Sequence, residues 1–144
     1  MQPLITYRGV VYPWHCDHLG HMNNMWYAGK FDEASWNLML QLGMPPSYFR
    51  ENARGLATVE QITEFKHELV AGEVIEVRSH IVEIREKVLR LVNAMINAES
   101  CVEAAIQKVT AVHVDLSVRK SCPFPSVLRA KVEQLAGITA SAPC

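Results

Sequence analysis

The stretch Trp14-His-Cys-Asp-His-Leu-Gly-His-Met-Asn-Asn-Met-Trp-Tyr27 decides how this chain is organised. It follows Leu4 to Trp14, a segment rich in β-branched and aromatic residues that predicts a strand. Its polar residues and Gly20 are typical of a loop, and loops on a rigid scaffold often carry functional side chains. A helical pattern begins at Asn24. The first prediction is therefore a strand, then a polar loop, then a helix.

The helix is predicted from Asn24 to Leu42 by its apolar periodicity. Apolar residues at three- and four-residue spacing share one face: Tyr27, Phe31, Ala34, Leu38 and Leu42. Asn23 or Asn24 supplies the N-cap. Gly43, Pro45 and Pro46 end the helix.

Four more strands are predicted downstream, at Leu56 to Leu69, Glu73 to Arg85, Val88 to Glu99 and Val102 to Leu116. The short breaks between them suit antiparallel hairpins. Residues 44–55 are interpreted as a turn region, 125–135 as a short helix and 136–144 as a frayed tail. The pattern predicts one α+β domain over residues 1–144, in which an antiparallel sheet of about five strands wraps the long helix.

The composition narrows the classes of function. The net charge is −1 and no run of like charge occurs, so no basic patch is available for nucleic acid or an anionic membrane. The N-terminus lacks a signal-peptide pattern and no apolar run approaches about 20 residues, so a cytoplasmic protein is predicted. The four cysteines, which form no CxxC pair, are interpreted as free thiols. The slightly high mean hydropathy favours a homo-oligomer.

Asp17 is the residue whose position suggests chemistry. It stands shortly before a helix N-terminus, where unpaired backbone N–H groups favour developing negative charge. Such amides can polarise a carbonyl oxygen while a carboxylate attacks the carbon or activates water. The alternative is that Asp17 only caps a turn and that the neighbouring histidines are solvated loop residues.

The motif Asp17-x-x-Gly-His-x-Asn-Asn-x-x-Tyr27, followed by Phe31-Asp-Glu-Ala34, resembles the 4-hydroxybenzoyl-CoA thioesterase branch of the hotdog-fold acyl-CoA thioesterases. The resemblance extends over most of the chain, including Val112 to Leu116 and the segment that follows. It implies a hotdog fold, protomers that join their sheets as a homodimer or a dimer of dimers, and active sites between them. It also implies hydrolysis of an acyl-CoA to a free carboxylic acid and coenzyme A, without a metal or redox cofactor.

The resemblance assigns roles to particular positions. Asp17 matches the catalytic aspartate, a nucleophile or general base, and Asn24 matches the position whose backbone N–H faces the thioester carbonyl. That position and the one before it are aromatic in the hydroxybenzoyl enzyme, so Asn23 and Asn24 do not favour an aromatic acyl group. His21 either assists by hydrogen bonding or braces the loop. The remaining predicted pocket residues are Gly20, Asn23, Tyr27, Trp14, Trp26, Glu60 and Glu64.

Coenzyme A phosphates need cationic partners. The candidates, at predicted strand ends and in the last loop, are Arg85, Lys87, Arg90, Arg119 and Lys120; the alternative is a solvated charged edge. Acyl-carrier protein could replace coenzyme A as the acyl carrier.

Other interpretations of these residues stay open. Trp14, Trp26 and Trp36 are either packing residues or an aromatic surface for a quaternary-ammonium acyl group. His18 and His21 are spaced for a metal, but no second Cys/His cluster follows, so no metal is predicted. Cys16 as a nucleophile is less favoured than an inert Cys16. The alternative functions are an acyl-thioester hydratase or dehydratase and a non-catalytic acyl-thioester binding protein.

Overall fold

The computed structural model of this protein describes residues 2–136, and residues 137–144 of the predicted tail lie outside that range. The helices and strands are, in chain order, β1 (Leu4–Val10), α1 (Asn24–Gln41), α2 (Pro46–Asn52), β2 (Arg54–Phe65), β3 (Val74–Ile84), β4 (Val88–Asn97), β5 (Glu103–Asp115), β6 (Lys120–Ser121) and α3 (Ser126–Ala136). A 3-10 turn covers Pro13–His15.

The sheet is antiparallel, with the order β1-β3-β4-β5-β2 and the short β6 added to β5. Its two edges are therefore β1 and β2. The helix α1 lies against the sheet and buries the predicted apolar face, including Phe31 and Leu38, which are both 0% exposed. This arrangement confirms the α+β hotdog fold.

The sheet has two distinct ends. At one end the segment before α1 meets the connection between β2 and β3: Val11 N–H donates to the Glu73 carbonyl and Met22 N–H to the Leu69 carbonyl. We call this the loop end. At the other end lie the β3–β4 hairpin, the start of β2 and β6. We call this the hairpin end.

A chain of buried polar side chains fixes α1 over the middle of the sheet. Ser79 on β3 contacts Thr6 on β1 at 2.6 Å and donates to Asn93 Oδ1 on β4 at 2.5 Å. Asn93 Nδ2 donates to Ser35 Oγ on α1 at 3.0 Å and to Gln107 Oε1 on β5 at 3.4 Å. Buried polar groups are stable only when they are paired in this way, so the network also specifies the register of helix on sheet.

Three sequence predictions need correction. The region 44–55 is not only a turn, because Pro46–Asn52 forms α2, whose Phe49 packs into the core. The first strand ends at Val10 rather than Trp14, because Pro13 opens the 3-10 turn. Cys16 and Cys122 are free thiols, as expected, but Cys101 is disulfide-bonded.

Candidate active site

The loop before α1 is a tight, hydrogen-bonded turn. Asp17 N–H donates to the His21 carbonyl at 3.1 Å, and Gly20 N–H donates to the Asp17 carbonyl at 3.0 Å. Cys16 and Met22 form an isolated antiparallel bridge at its base. Gly20 has φ +83°, a left-handed conformation that residues with a side chain seldom adopt. The glycine of the motif therefore closes the turn that presents Asp17.

Two N–H groups hold the Asp17 carboxylate. Leu19 N–H donates to Oδ1 and Asn23 Nδ2 donates to Oδ2, both at 2.9 Å. The Asn23 hydrogen bond, the Leu19 hydrogen bond and the nearby His21 and His18 together lower the pKa of Asp17 below its ordinary value. The carboxylate is therefore ionised at neutral pH, as a nucleophile or a general base requires.

Asn23 links this carboxylate to the start of α1. Its Oδ1 accepts a hydrogen bond from Met25 N–H at 2.9 Å, so Asn23 is the N-cap as well as the partner of Asp17. Asn24 is the first residue of the helix, and its backbone N–H meets no acceptor within residues 2–136. An unpaired amide at the positive end of a helix can polarise a carbonyl oxygen.

A cavity of about 170 Å³, here called the loop cavity, opens beside Asn24. The residues that line it come from the loop, the first turn of α1 and the end of β2: His21, Met22, Asn24, Tyr27, Phe65, Lys66, His67 and Glu68. Asp17 does not line this cavity, but its carboxylate accepts a hydrogen bond from Asn23, the residue before Asn24. The carboxylate is thus held by the residue that precedes Asn24, and Asn24 itself borders the cavity.

Two aromatic rings form one wall of the loop cavity. Tyr27 is 3% exposed and meets Phe65 edge-on, with 5.1 Å between ring centroids. Burial, with Glu73 and Glu68 nearby, raises the pKa of Tyr27 to about 12, so its phenol is neutral. Tyr27 is positioned as a pocket wall, the role implied by the motif.

Charged groups lie at the rim of the loop cavity. His21 Nε2 is 3.9 Å from Glu68 Oε1 and its Nδ1 lies 3.3 Å from the Met22 carbonyl. Lys66 pairs with Glu103 at 2.5 Å. His21 therefore contacts both the loop backbone and the cavity rim, an arrangement compatible with either of its predicted roles.

The other predicted pocket residues lie away from the loop cavity of the same chain. Trp14 and Trp26 line a different cavity on the β1 side of α1. Trp36 packs edge-on against Phe49 and borders a small cavity on the β2 side. On β2, Gln61 and Phe65 face α1, so strand alternation directs Glu60 and Glu64 to the opposite face.

The predicted phosphate-binding cations all lie at the hairpin end, away from Asp17. Arg85 and Arg90 both pair with Glu83, at 2.6 and 2.8 Å. No ion pair involves the other three cations within the part of the chain that the structure describes: Lys87, Arg119 and Lys120. A coenzyme A held by these residues would have to meet an Asp17 from another copy of the chain.

Sequence reasoning missed Phe65, Lys66 and Glu68, which complete the loop cavity. They follow Asp17 by about 50 positions and carry no local motif. Only the pairing of β2 with β5 brings them to the loop end.

Within residues 2–136, no three His, Cys, Asp or Glu side chains are grouped to hold a metal ion. No helix among these residues has the length and apolar character needed to cross a membrane.

The fold is a hotdog sheet packed on a long helix, and an ionised aspartate stands shortly before the N-terminus of that helix. Residues 11–132 match the model of the Thioesterase-like superfamily, and the chain belongs to this family. The match confirms the family and the enzyme class predicted from the Asp17 motif.

One curated relative agrees with this assignment, and solved structures share the fold. The chain is 30% identical over 135 residues to a betainyl-CoA thioesterase of Pseudomonas aeruginosa, a match that covers 94% of this chain and 85% of that protein. A protein of Staphylococcus aureus solved in complex with CoA shares the fold, with TM-score 0.87, 22% identity and coverage of 99% and 92%. A 1,4-dihydroxy-2-naphthoyl-CoA thioesterase from Synechocystis also shares it, with TM-score 0.79, 19% identity and coverage of 91% and 96%.

Proposed function

We propose that this protein is an acyl-CoA thioesterase in which Asp17 and the Asn24 backbone N–H perform the reaction. The observation that carries the proposal is the Asn23 side chain, which binds the ionised Asp17 carboxylate with its Nδ2 and caps α1 with its Oδ1. One residue thereby fixes a carboxylate beside the unpaired Asn24 amide.

The chemistry follows from these two groups. The thioester oxygen accepts the Asn24 N–H, which stabilises the negative charge that develops there. Asp17 either attacks the carbonyl carbon, giving an anhydride that water then hydrolyses, or removes a proton from the attacking water. In both routes the C–S bond breaks, the sulfur leaves as the coenzyme A thiolate and is protonated, and the acyl group becomes a carboxylate.

A quaternary-ammonium acyl group is the substrate we propose first. The Pseudomonas aeruginosa relative is named for betainyl-CoA. In that acyl group a single methylene separates the cation from the carbonyl, so a carbonyl at Asn24 would place the cation inside the loop cavity. The rings of Tyr27 and Phe65 and the Glu68 carboxylate line that cavity, and aromatic faces and carboxylates both attract a cation.

The working unit we propose is a dimer formed through β2. This strand pairs only with β5 among the described strands. Its side chains include Val59, Ile62 and Phe65, which are 63%, 49% and 51% exposed. An exposed apolar edge strand of 12 residues is an aggregation hazard unless another strand covers it. A second copy of β2 related by a two-fold axis pairs antiparallel and covers both edges.

Such a dimer also accounts for the position of the cations. The strand β2 starts at the hairpin end, where it pairs with the same end of β5 that pairs with β6, and it finishes at the loop end. Antiparallel pairing therefore brings the hairpin end of one protomer towards the loop end of its partner. Arg119 and Lys120 of one protomer could then bind the phosphates of a coenzyme A whose thioester lies at the other protomer's Asp17.

The test is thiol release from a panel of thioesters by the wild type and Asp17→Asn. The panel holds betainyl-, carnitinyl-, short neutral, long and aromatic acyl-CoA and one acyl-carrier-protein thioester. We expect turnover of the cationic substrates above the neutral short ones, and a loss of about 100-fold or more in Asp17→Asn. Glu51→Gln, an exposed carboxylate on α2, is the matched control and should retain full activity.

Two results would redirect the assignment. Hydration of a 2-enoyl-CoA without thiol release would favour the hydratase. Tight binding of acyl-CoA with no release would favour a binding protein. If thiol is released but cationic substrates are no faster than neutral ones, the mechanism stands and the cationic substrate is wrong.

A further inference from the structure

A second cavity, unrelated to the loop cavity, lies on the opposite flank of α1, between that helix and β1. Its volume is about 550 Å³, against about 170 Å³ for the loop cavity. We call it the edge cavity. Because β1 and β2 are opposite edges of the sheet, a dimer formed through β2 would leave the edge cavity accessible.

A buried lysine forms part of this cavity. Lys30 is 5% exposed, and its Nζ donates to the Tyr7 hydroxyl at 2.9 Å and lies 5.1 Å from the centre of that ring. No carboxylate pairs with Lys30 among residues 2–136. Lysine is seldom buried without a counter-charge, and an ammonium has three donors. At least one strong donor is therefore left for an anion.

The charge of Lys30 affects the pKa of His15, a neighbour in the cavity. His15, which also lines it, has a lowered pKa, first because it is buried and second because of Lys30. The imidazole of His15 is thus neutral at neutral pH and does not add a second cation.

Aromatic rings form the other walls. Trp14 stacks on Tyr12 with 4.5 Å between centroids and 7° between planes, and Trp14 remains 67% exposed. Trp26 lies against His15, with 4.5 Å between ring centroids. An exposed, ordered stack of this kind offers flat apolar surface to the body of a ligand.

Two glycines keep the edge cavity open. Gly29 lies inside α1, where glycine weakens a helix, and a Cβ there would meet no atom within 4 Å. Packing therefore does not require Gly29. At Gly9 a Cβ would lie 2.5 Å from the Tyr7 hydroxyl, so glycine is what lets Tyr7 fold over β1 towards Lys30.

We propose that the edge cavity binds an organic monocarboxylate with a flat apolar body. Its carboxylate accepts hydrogen bonds from Lys30 Nζ, and its body lies against Trp14 and Trp26. Glu33 also borders the cavity, so the lining carries one positive and one negative charge. That balance favours a monoanion over phosphates such as those of coenzyme A. This proposal is independent of the function proposed for Asp17.

The experiment compares phenylacetate and indole-3-acetate with their neutral amides, by calorimetry and by tryptophan fluorescence of the full-length protein. We expect each acid to bind at least about tenfold more tightly than its amide, because only the acid carries the charge that Lys30 pairs with. Lys30→Met keeps most of the unbranched side chain but removes the charge, and it should abolish the difference between acid and amide. Gly29→Leu keeps Lys30 but fills the cavity, and should weaken both ligands.

Two controls locate the binding. Lys66→Met removes a lysine from the loop cavity and should leave the affinity for the acids unchanged, as should Asp17→Asn. Circular dichroism checks that each variant is folded. The proposal fails if acid and amide bind equally, if Lys30→Met binds the acids as the wild type does, or if Asp17→Asn abolishes binding.

Discussion

At the scale of single residues, Asn23 is the connection on which the proposed chemistry depends. It gives one hydrogen bond to Asp17 and accepts another from Met25 N–H, so the same side chain orients the carboxylate and begins the helix. A carboxylate that accepts hydrogen bonds in its charged form has a lowered pKa, which is the direction found for Asp17.

This pKa predicts the acid limb of the pH–rate profile. The ionised carboxylate is needed, so activity is present above the lowered pKa of Asp17 and is lost as the pH falls through it. We expect thiol release to stay constant on acidification until the pH is below about 4, the ordinary range of aspartate. An acid limb near pH 6 in folded protein would contradict an ionised Asp17 as the working group.

Asn23→Asp tests whether the Asn23 hydrogen bond is what lowers the pKa of Asp17. The variant keeps an oxygen to cap α1 but replaces the Nδ2 donor with a second carboxylate beside Asp17. We expect the pKa of Asp17 to rise and the acid limb to move up by about 1 to 2 pH units, with the free energy of unfolding near that of wild type at neutral pH. An unmoved acid limb would show that Asn23 does not set this pKa.

At the scale of helices and strands, the buried polar network positions α1 over the sheet. Asn93 has the central place, since it contacts Ser79 on β3, Gln107 on β5 and Ser35 on α1. Removal of a central partner leaves other buried polar groups unpaired, which costs more than the hydrogen bonds themselves.

We therefore expect Asn93→Ala to lower the free energy of unfolding by about 2 to 4 kcal/mol. Urea denaturation measures this change. Asn37→Ala, an exposed position on α1, is the control and should change the free energy by less than about 0.5 kcal/mol. A small effect of Asn93→Ala would mean that water or a rearranged Ser79 replaces the lost amide.

At the scale of the whole molecule, the proposed dimer with a shared site would explain both the exposed edge of β2 and the separation of Asp17 from the hairpin-end cations. Ile62→Lys places a charge on the exposed edge strand and should convert a dimer into monomers with little thiol release. Light scattering coupled to size-exclusion chromatography measures the mass, and Lys108→Ala on the internal strand β5 is the control. A monomeric, active wild type would contradict the dimer.

Mixed dimers test which protomer supplies the cations. One protomer carries Asp17→Asn and the other carries Arg119→Gln with Lys120→Gln. If the site is shared, one of the two sites in the mixed dimer has an intact Asp17 and intact cations, and about half of the wild-type activity should return at low acyl-CoA concentration. If each chain completes its own site, no site is intact and little activity should return.

Features that depend on neighbouring residues could be predicted from the sequence. The loop from Asp17 to Asn23, its glycine, the cap and the apolar face of α1 were all predictable, because turn geometry, capping and helical spacing act over a few residues. Alternation likewise predicted the long strands. The short helix α2 was missed, since seven residues carry too little periodicity to distinguish a helix from a turn.

The residues that share a cavity are distant in sequence, and the fold of the whole chain brings them together. The fold had this effect in three places. Phe65 and Glu68 reach the loop cavity through the pairing of β2 with β5, and Tyr7 reaches Lys30 through the packing of β1 beside α1. It also separated Trp14 and Trp26 from the loop cavity, although both lie close to Asp17 in sequence. The physical reason is that strand register and helix packing bring these groups together by buried contacts across the whole chain, and no local pattern encodes such contacts.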